Sequence, residues 1–186
     1  MTTSDVDAKC LETFPNWLRT LGDDAEGLVD MISDTQTVPD TARRVLAGGL
    51  NYLFKSLDLI PDGIDDIGYL DDAFVLRVAC GHATREDLDK AGAEKGAACM
   101  RLANDVDLIE KFLGKDYSRL DAYVVGLRRG AARGRSVDDI VTNPTVLSEF
   151  IADVRGFARG YQGPTFSREQ KNLIKLRAFF DAKLPR

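Results

Sequence analysis

The feature that most limits how this chain can fold is a stretch of 21 residues, 56–76, reading SLDLIPDGIDDIGYLDDAFVL. Six aspartates, Asp58, Asp62, Asp65, Asp66, Asp71 and Asp72, fall within 15 positions. Leu57, Leu59, Ile60, Ile64, Ile67, Leu70 and Phe74 lie between and beside them. Carboxylates interleaved this densely with large apolar residues cannot all reach water while the apolar groups avoid it. Some must be buried, and buried carboxylates need partners. Pro61 interrupts any helix and biases Ile60 toward an extended backbone, and Gly63 and Gly68 allow bends. The pattern predicts a helix, a tight kink, and a second helix from about Asp66 to Cys80.

The rest of the chain reads as helical. Sustained apolar/polar alternation is missing, and apolar residues recur at three- and four-residue spacing instead. Leu11, Phe14, Leu18 and Leu21 form one stripe. Leu28, Met31 and Ile32 form a second, and Val45, Leu46, Leu50, Leu53 and Phe54 a third behind an N1 proline, Pro39. Thr84 and Asp87 predict a capping box opening a long helix to about Phe112, ended by Gly114. A helix from Ser118 to about Arg133 follows. A short helix is capped by Ser136 with Asp139, and two last helices start at Pro144 and Ser167. Glycine pairs at helical spacing (92/96, 126/130/134, 156/160) predict close helix packing, with Gly134 ending its helix. The expected architecture is all-α: one compact multi-helix domain over residues 1–186, with the kinked hairpin at its centre.

At DLIPD followed by GYLDD the chain resembles the YkvA-like family, a bacterial domain of unknown function. The matching residues are Tyr52, Asp58, Leu59, Ile60, Pro61, Asp62, Gly68, Tyr69, Leu70, Asp71 and Asp72, and the resemblance covers about residues 45–80. It departs from the family pattern at Lys55, Ser56 and Leu57, where relatives usually carry Ser-Pro, and at Asp65 and Asp66, where they carry an apolar linker. The resemblance implies a compact helical hairpin with an acidic corner and no established activity.

Three uses of the aspartates follow. As architecture, they cap helices, tie down backbone amides freed at Pro61, or pair with Arg43, Arg44 or Arg77. As a metal site, Asp58, Asp62, Asp71 and Asp72 would converge on Mg²⁺, Mn²⁺ or Ca²⁺, hard cations that take oxygen ligands. As catalysts they would form a metal-dependent hydrolase. Adjacent Asp71 and Asp72 diverge by about 100° on a helix, and the lone histidine, His82, has no nucleophile partner in a motif.

Charge is uneven. The chain carries 25 basic and 30 acidic residues, a net charge of −5, but residues 101–186 are net basic. The densest cluster, Arg128, Arg129, Arg133 and Arg135, is a candidate anion-binding patch for phosphate, of a lipid headgroup or a nucleic acid. No nucleic-acid-binding motif accompanies it, so a nucleic-acid partner is not expected. The three cysteines, Cys10, Cys80 and Cys99, lack paired spacing and suit buried, reduced thiols in the cytoplasm. No signal peptide or membrane span is expected. The leading reading is a cytoplasmic, non-enzymatic module that acts through protein–protein contact or homo-oligomerisation, its acidic kink able to hold a divalent cation. The alternatives are the hydrolase and a peripheral membrane protein.

Overall fold

A computed structural model describes residues 3–86, 88 and 93–186. Among them ten α-helices run in the order α1 (Thr3–Glu26), α2 (Val29–Ser33), α3 (Asp40–Tyr52), α4 (Leu70–Ala83), α5 (Ala93–Ala103), α6 (Val106–Leu113), α7 (Tyr117–Leu127), α8 (Val137–Thr142), α9 (Pro144–Gly160) and α10 (Gln170–Lys183). The all-α expectation holds. The one β element described is a two-residue-per-strand antiparallel hairpin, β1 (Ala131–Ala132) and β2 (Arg135–Ser136).

Helix α4 is the axis of the fold. All eleven residues from Leu70 to Cys80 are buried, as expected of a helix that is apolar on nearly every face. It packs against α1, α3, α5, α6 and α7. Phe74 joins Phe14, Trp17, Phe112 and Phe180 in an aromatic core, stacked on Phe180 at 5.2 Å and edge-on to the others. Edge-to-face and offset contacts of this kind stabilise beyond the area they bury.

Arg77 also lies inside, 1% exposed. Its guanidinium sits 4.2 Å over the Trp17 ring and donates to Asp24 at 3.2 Å, Asp105 at 2.9 Å and the Ala73 carbonyl at 3.1 Å. Asp24 is itself fully buried and accepts a second guanidinium, from Arg101, at 2.8 Å. A buried cation is tolerable only with such complete pairing.

Several boundaries differ from expectation. Pro39 is the cap residue of α3, one position before its first turn, and its carbonyl accepts from Arg43 N–H. Helix α4 starts at Leu70 rather than Asp66, because Asp66 and Tyr69 both adopt left-handed backbone (φ 71° and 65°). Thr84 closes α4, its N–H bonded to Cys80 O, and opens no helix; Asp87 and Gly92 lie outside the described residues. The expected long helix to Phe112 is split into α5 and α6 at Asn104 and Asp105, where the Asp105 carboxylate turns to Arg77. Helix α7 ends at Leu127. Arg133 and Gly134 then form a two-residue hairpin turn with positive φ at both positions (48° and 75°), the signature of a type I′ turn, so Gly134 turns a hairpin and ends no helix. The last helix begins at Gln170, because Ser167 donates instead to Asp66 through both N–H and hydroxyl.

Other expectations match. Ser136 and Asp139 form a reciprocal capping box on α8, and Pro144 is the first residue of α9 behind an Asn143 cap. Gly114, with φ 55°, closes α6. The three cysteines are free and buried.

Candidate functional site: an acidic corner and the groove beside it

The corner is built where α3 ends, the chain reverses over residues 53–69, and α4 begins. Tyr52, in the last turn of α3, is the pivot. Its hydroxyl accepts from Leu59 N–H at 2.8 Å and donates to Asp71 Oδ2 at 2.5 Å. The same Asp71 oxygen accepts from Ile60 N–H at 2.9 Å. Ile60 precedes Pro61, so its amide belongs to a segment that can join neither helix. Asp71 therefore ties the kink to the first turn of α4, where a carboxylate also suits the positive end of the helix dipole. The turn below is very tight: a Cβ on Gly68 would stand 2.2 Å from the Asp62 carbonyl oxygen, a position only glycine can fill.

The four candidate ligands separate into two groups. Asp71 and Asp72 are buried, at 0% and 2% exposure, and Asp58 is half-buried. Among the described residues, Asp58 Oδ1, Asp71 Oδ1 and Asp72 Oδ2 are buried oxygens without a hydrogen-bond partner. Burial, then the neighbouring carboxylates, pushes the Asp58 carboxyl up to about 7. Burial raises Asp71 to about 6 against the bonds from Tyr52 and Ile60. Burial and the charge of Asp71 hold Asp72 well above the ordinary carboxylate range. Lys55 is the one cation that opposes the shift at Asp58, and its ammonium is bonded to the Tyr123 hydroxyl at 2.9 Å. Asp62 is exposed. It accepts from the Tyr69 hydroxyl, while desolvation raises its carboxyl.

None of the three expected arginines pairs with the corner. Arg43 donates to the Ile32 and Val141 carbonyls, Arg44 pairs with Asp40 and Asp138, and Arg77 is held by Asp24 and Asp105. The expected arginine pairing is thus replaced by Tyr52 and a backbone amide. Among the described residues, no three His, Cys, Asp or Glu side chains stand together in a ready-made coordination shell. Asp66 serves elsewhere, accepting from Ser167 and Asn172 and so fastening the strap before α10 to the kink.

Beside the corner lies a groove along α9. A cleft of about 390 Å³ is lined by Phe54, Asp62, Tyr69, Arg133, Asp153 and Phe157, among others. A second, of about 350 Å³, is lined by Tyr69, Gly156, Phe157, Gly160, Tyr161 and Gln162. They share Tyr69, Gly156 and Phe157. A Cβ added to Gly156 or Gly160 would meet nothing within 4 Å, so these two glycines floor an open groove and do not seat a packed helix. Tyr69, Phe157 and Tyr161 form one aromatic wall, with ring centroids 5.2–6.4 Å apart.

The arginine cluster is spread over several environments. Arg128 borders a smaller cleft with His82 and Arg85, and His82 itself bonds Asp121 at 2.8 Å. Arg129 is exposed. Arg133 is exposed with its guanidinium 5.0 Å over Phe54, and Arg135 pairs with Asp153 at 2.7 Å. The groove residues Phe54, Phe157, Tyr161 and Gly156 were not candidates on sequence. The Gly156/Gly160 spacing was the available signal, and packing and open space give it the same appearance.

Helix, kink and buried carboxyl pair together define a helical domain organised on an acidic corner. The family model DUF1232, a protein of unknown function, matches residues 42–77, from the first turn of α3 through the kink to Arg77. The YkvA-like resemblance is therefore present over a partial segment of the chain, and that segment is the corner. No curated protein and no solved structure matches the chain. Among the described residues, no helix is long and apolar enough to cross a membrane.

Proposed function

We propose that the chain is a non-enzymatic, cytoplasmic module that acts through protein–protein contact, with the α9 groove as its contact surface and the acidic corner as the architecture that shapes it. The observation that carries this reading is the open floor at Gly156 and Gly160 beneath an aromatic wall. Half-buried aromatic rings that line an open, charge-rimmed groove suit an interaction site. The burial of Asp71 and Asp72 supports a structural role over catalysis, since a substrate in the groove would meet Asp62 first. Three free, buried thiols suit a reducing compartment. The test is a photo-crosslinking residue placed at exposed, groove-lining Ala152 in cells that make the protein. Covalent protein adducts are expected there and not from a control at Lys175 on α10. Equal labelling at both positions would overturn the reading.

A second reading rests on the three unpartnered oxygens of Asp58, Asp71 and Asp72. A divalent cation would satisfy them, and Mg²⁺, Mn²⁺ and Ca²⁺ are the chemically suited ions. The half-buried Asp58, on the connection, would have to turn toward the fixed pair on α4. A saturable rise in melting temperature with Mn²⁺, lost in Asp72→Asn, would favour this reading. No shift at millimolar metal would dismiss it.

A further inference from the structure

We propose that a separate cleft, between α7 and the segment that follows α10, binds a small amphiphile with a single anionic head, of the class of medium-chain carboxylates. Lys55 takes the head, and the apolar walls beside α7 take the tail. The cleft shares no lining residue with the α9 groove, so the inference goes beyond the contact-surface reading and does not depend on it.

The cleft holds about 560 Å³, more than either cleft along α9 and within the range of small-molecule sites. Ala122, Gly126, Leu127, Gly130 and Pro185 give it apolar walls, with the Tyr123 ring beside them. A Cβ on Gly126 would meet nothing within 4 Å, so the α7 side of the cleft stands open. Small-molecule sites join walls of this kind to a few placed polar groups that fix the ligand's orientation.

The charges select the ligand. Lys55, Arg119 and Arg186 line the cleft, and among the described residues no Asp or Glu does, in a chain whose net charge is −5. Arg119 is already spent on the wall. Its guanidinium bonds Asp116 and Asp181 and donates to the carbonyls of Asp181, Leu184 and Pro185, which uses all of its N–H donors. It thereby fastens the segment after α10 to α7, and the cleft is in place before any ligand arrives. Lys55 is the cation with capacity left. Its ammonium donates to the Tyr123 hydroxyl at 2.9 Å and lies 5.2 Å and 5.6 Å from the centroids of the Tyr123 and Tyr52 rings. Cation–π contacts of this kind hold an ammonium in position. An ammonium carries three donors, and among the described residues Lys55 forms no ion pair; Asp58 feels its charge without pairing to it. One fixed ammonium in an apolar cleft matches one negative charge on an apolar tail. A nucleotide or polyphosphate needs several converging donors, and Arg119 has none to give.

The test is an NMR titration of the backbone amides of the full chain with decanoate, kept below its micelle-forming concentration. Saturable shifts are expected at Ala122, Tyr123 and Gly126. Decanol, the same tail without the charge, should bind about tenfold or more weakly, and so should acetate, the same head without the tail. Lys55→Gln removes the charge and keeps a donor for the Tyr123 hydroxyl; it should weaken decanoate by about tenfold or more. Gly126→Leu fills the cleft at an exposed helical position, and should weaken decanoate comparably without lowering Tm, since leucine favours a helix where glycine does not. Absence of saturable shifts at millimolar decanoate would overturn the proposal. So would decanol binding as tightly as decanoate, or decanoate binding unmoved by Lys55→Gln or by Gly126→Leu.

Discussion

Replacing Tyr52 by phenylalanine removes one oxygen atom and cuts two bonds of the corner. The Leu59 amide loses its acceptor, and Leu59 is 4% exposed. An orphaned buried amide costs about 1–3 kcal/mol. Asp71 Oδ2 loses a donor at 2.5 Å, and a hydrogen bond to a charged group is worth about 1.5–3 kcal/mol. The ring stays, so its edge contact with Tyr123 at 6.1 Å is kept and no cavity larger than a hydroxyl opens. A destabilisation of about 3 kcal/mol is expected at neutral pH, which lowers Tm by roughly 6–12 °C in a chain of this size. Urea unfolding followed by far-UV circular dichroism measures it. The loss should shrink toward pH 5, because protonated Asp71 makes less demand on a donor. A loss under about 1 kcal/mol at neutral pH, or one independent of pH, would refute the view that Tyr52 and Asp71 hold the kink.

Other outcomes follow from the same geometry. Asp58 and Asp71 have folded-state carboxyls raised from 3.8 to about 7 and about 6, so the native state retains protons that the unfolded chain releases. Stability should therefore fall as pH rises from about 4 to about 7, with Asp71 alone contributing on the order of 3 kcal/mol. Asp72→Asn should flatten that decline and raise neutral-pH stability, as read from unfolding curves across the range. Gly68→Ala should cost more than about 2 kcal/mol, or prevent folding, since its Cβ would overlap the Asp62 carbonyl; a neutral effect on Tm would contradict the tight turn. Arg77→Met should cost about 3 kcal/mol, because it takes one of two guanidiniums from fully buried Asp24, leaving Arg101, and removes the partner of half-buried Asp105; the double variant Arg77→Met, Asp24→Asn should recover part of it.

Helix content and core positions were readable because spacing controls them. Leu11, Phe14, Leu18 and Leu21 do share a face of α1, and the Ser136–Asp139 box caps α8 as its pattern requires. What local pattern could not supply was tertiary demand. Asp105 breaks the long helix because its carboxylate is needed at Arg77, a residue 28 positions earlier. Ser167 opens no helix because Asp66, 101 positions away, takes its donors. The hairpin at Arg133-Gly134 was hidden by an arginine in a position where turn rules favour Asn, Asp or Gly. In the corner, the acidic crowding was legible and its resolution was not. Arginines nearby in sequence were the natural partners, yet each is held elsewhere, and a tyrosine and a backbone amide took their place. The groove was missed because an open glycine floor and a packed glycine seam share one spacing.

The central claim is that Asp58, Asp71 and Asp72 form a desolvated corner that, among the described residues, no ion pair neutralises, Lys55 only partly offsetting the shift at Asp58. The most direct measurement is an NMR titration of the aspartate side-chain carboxyl carbons in the metal-free protein. The account predicts that Asp58 and Asp71 titrate near 7 and 6 and that Asp72 stays protonated well above the ordinary carboxylate range. All three titrating at about 4 or below would contradict it, because that result requires solvent or a positive charge in the corner.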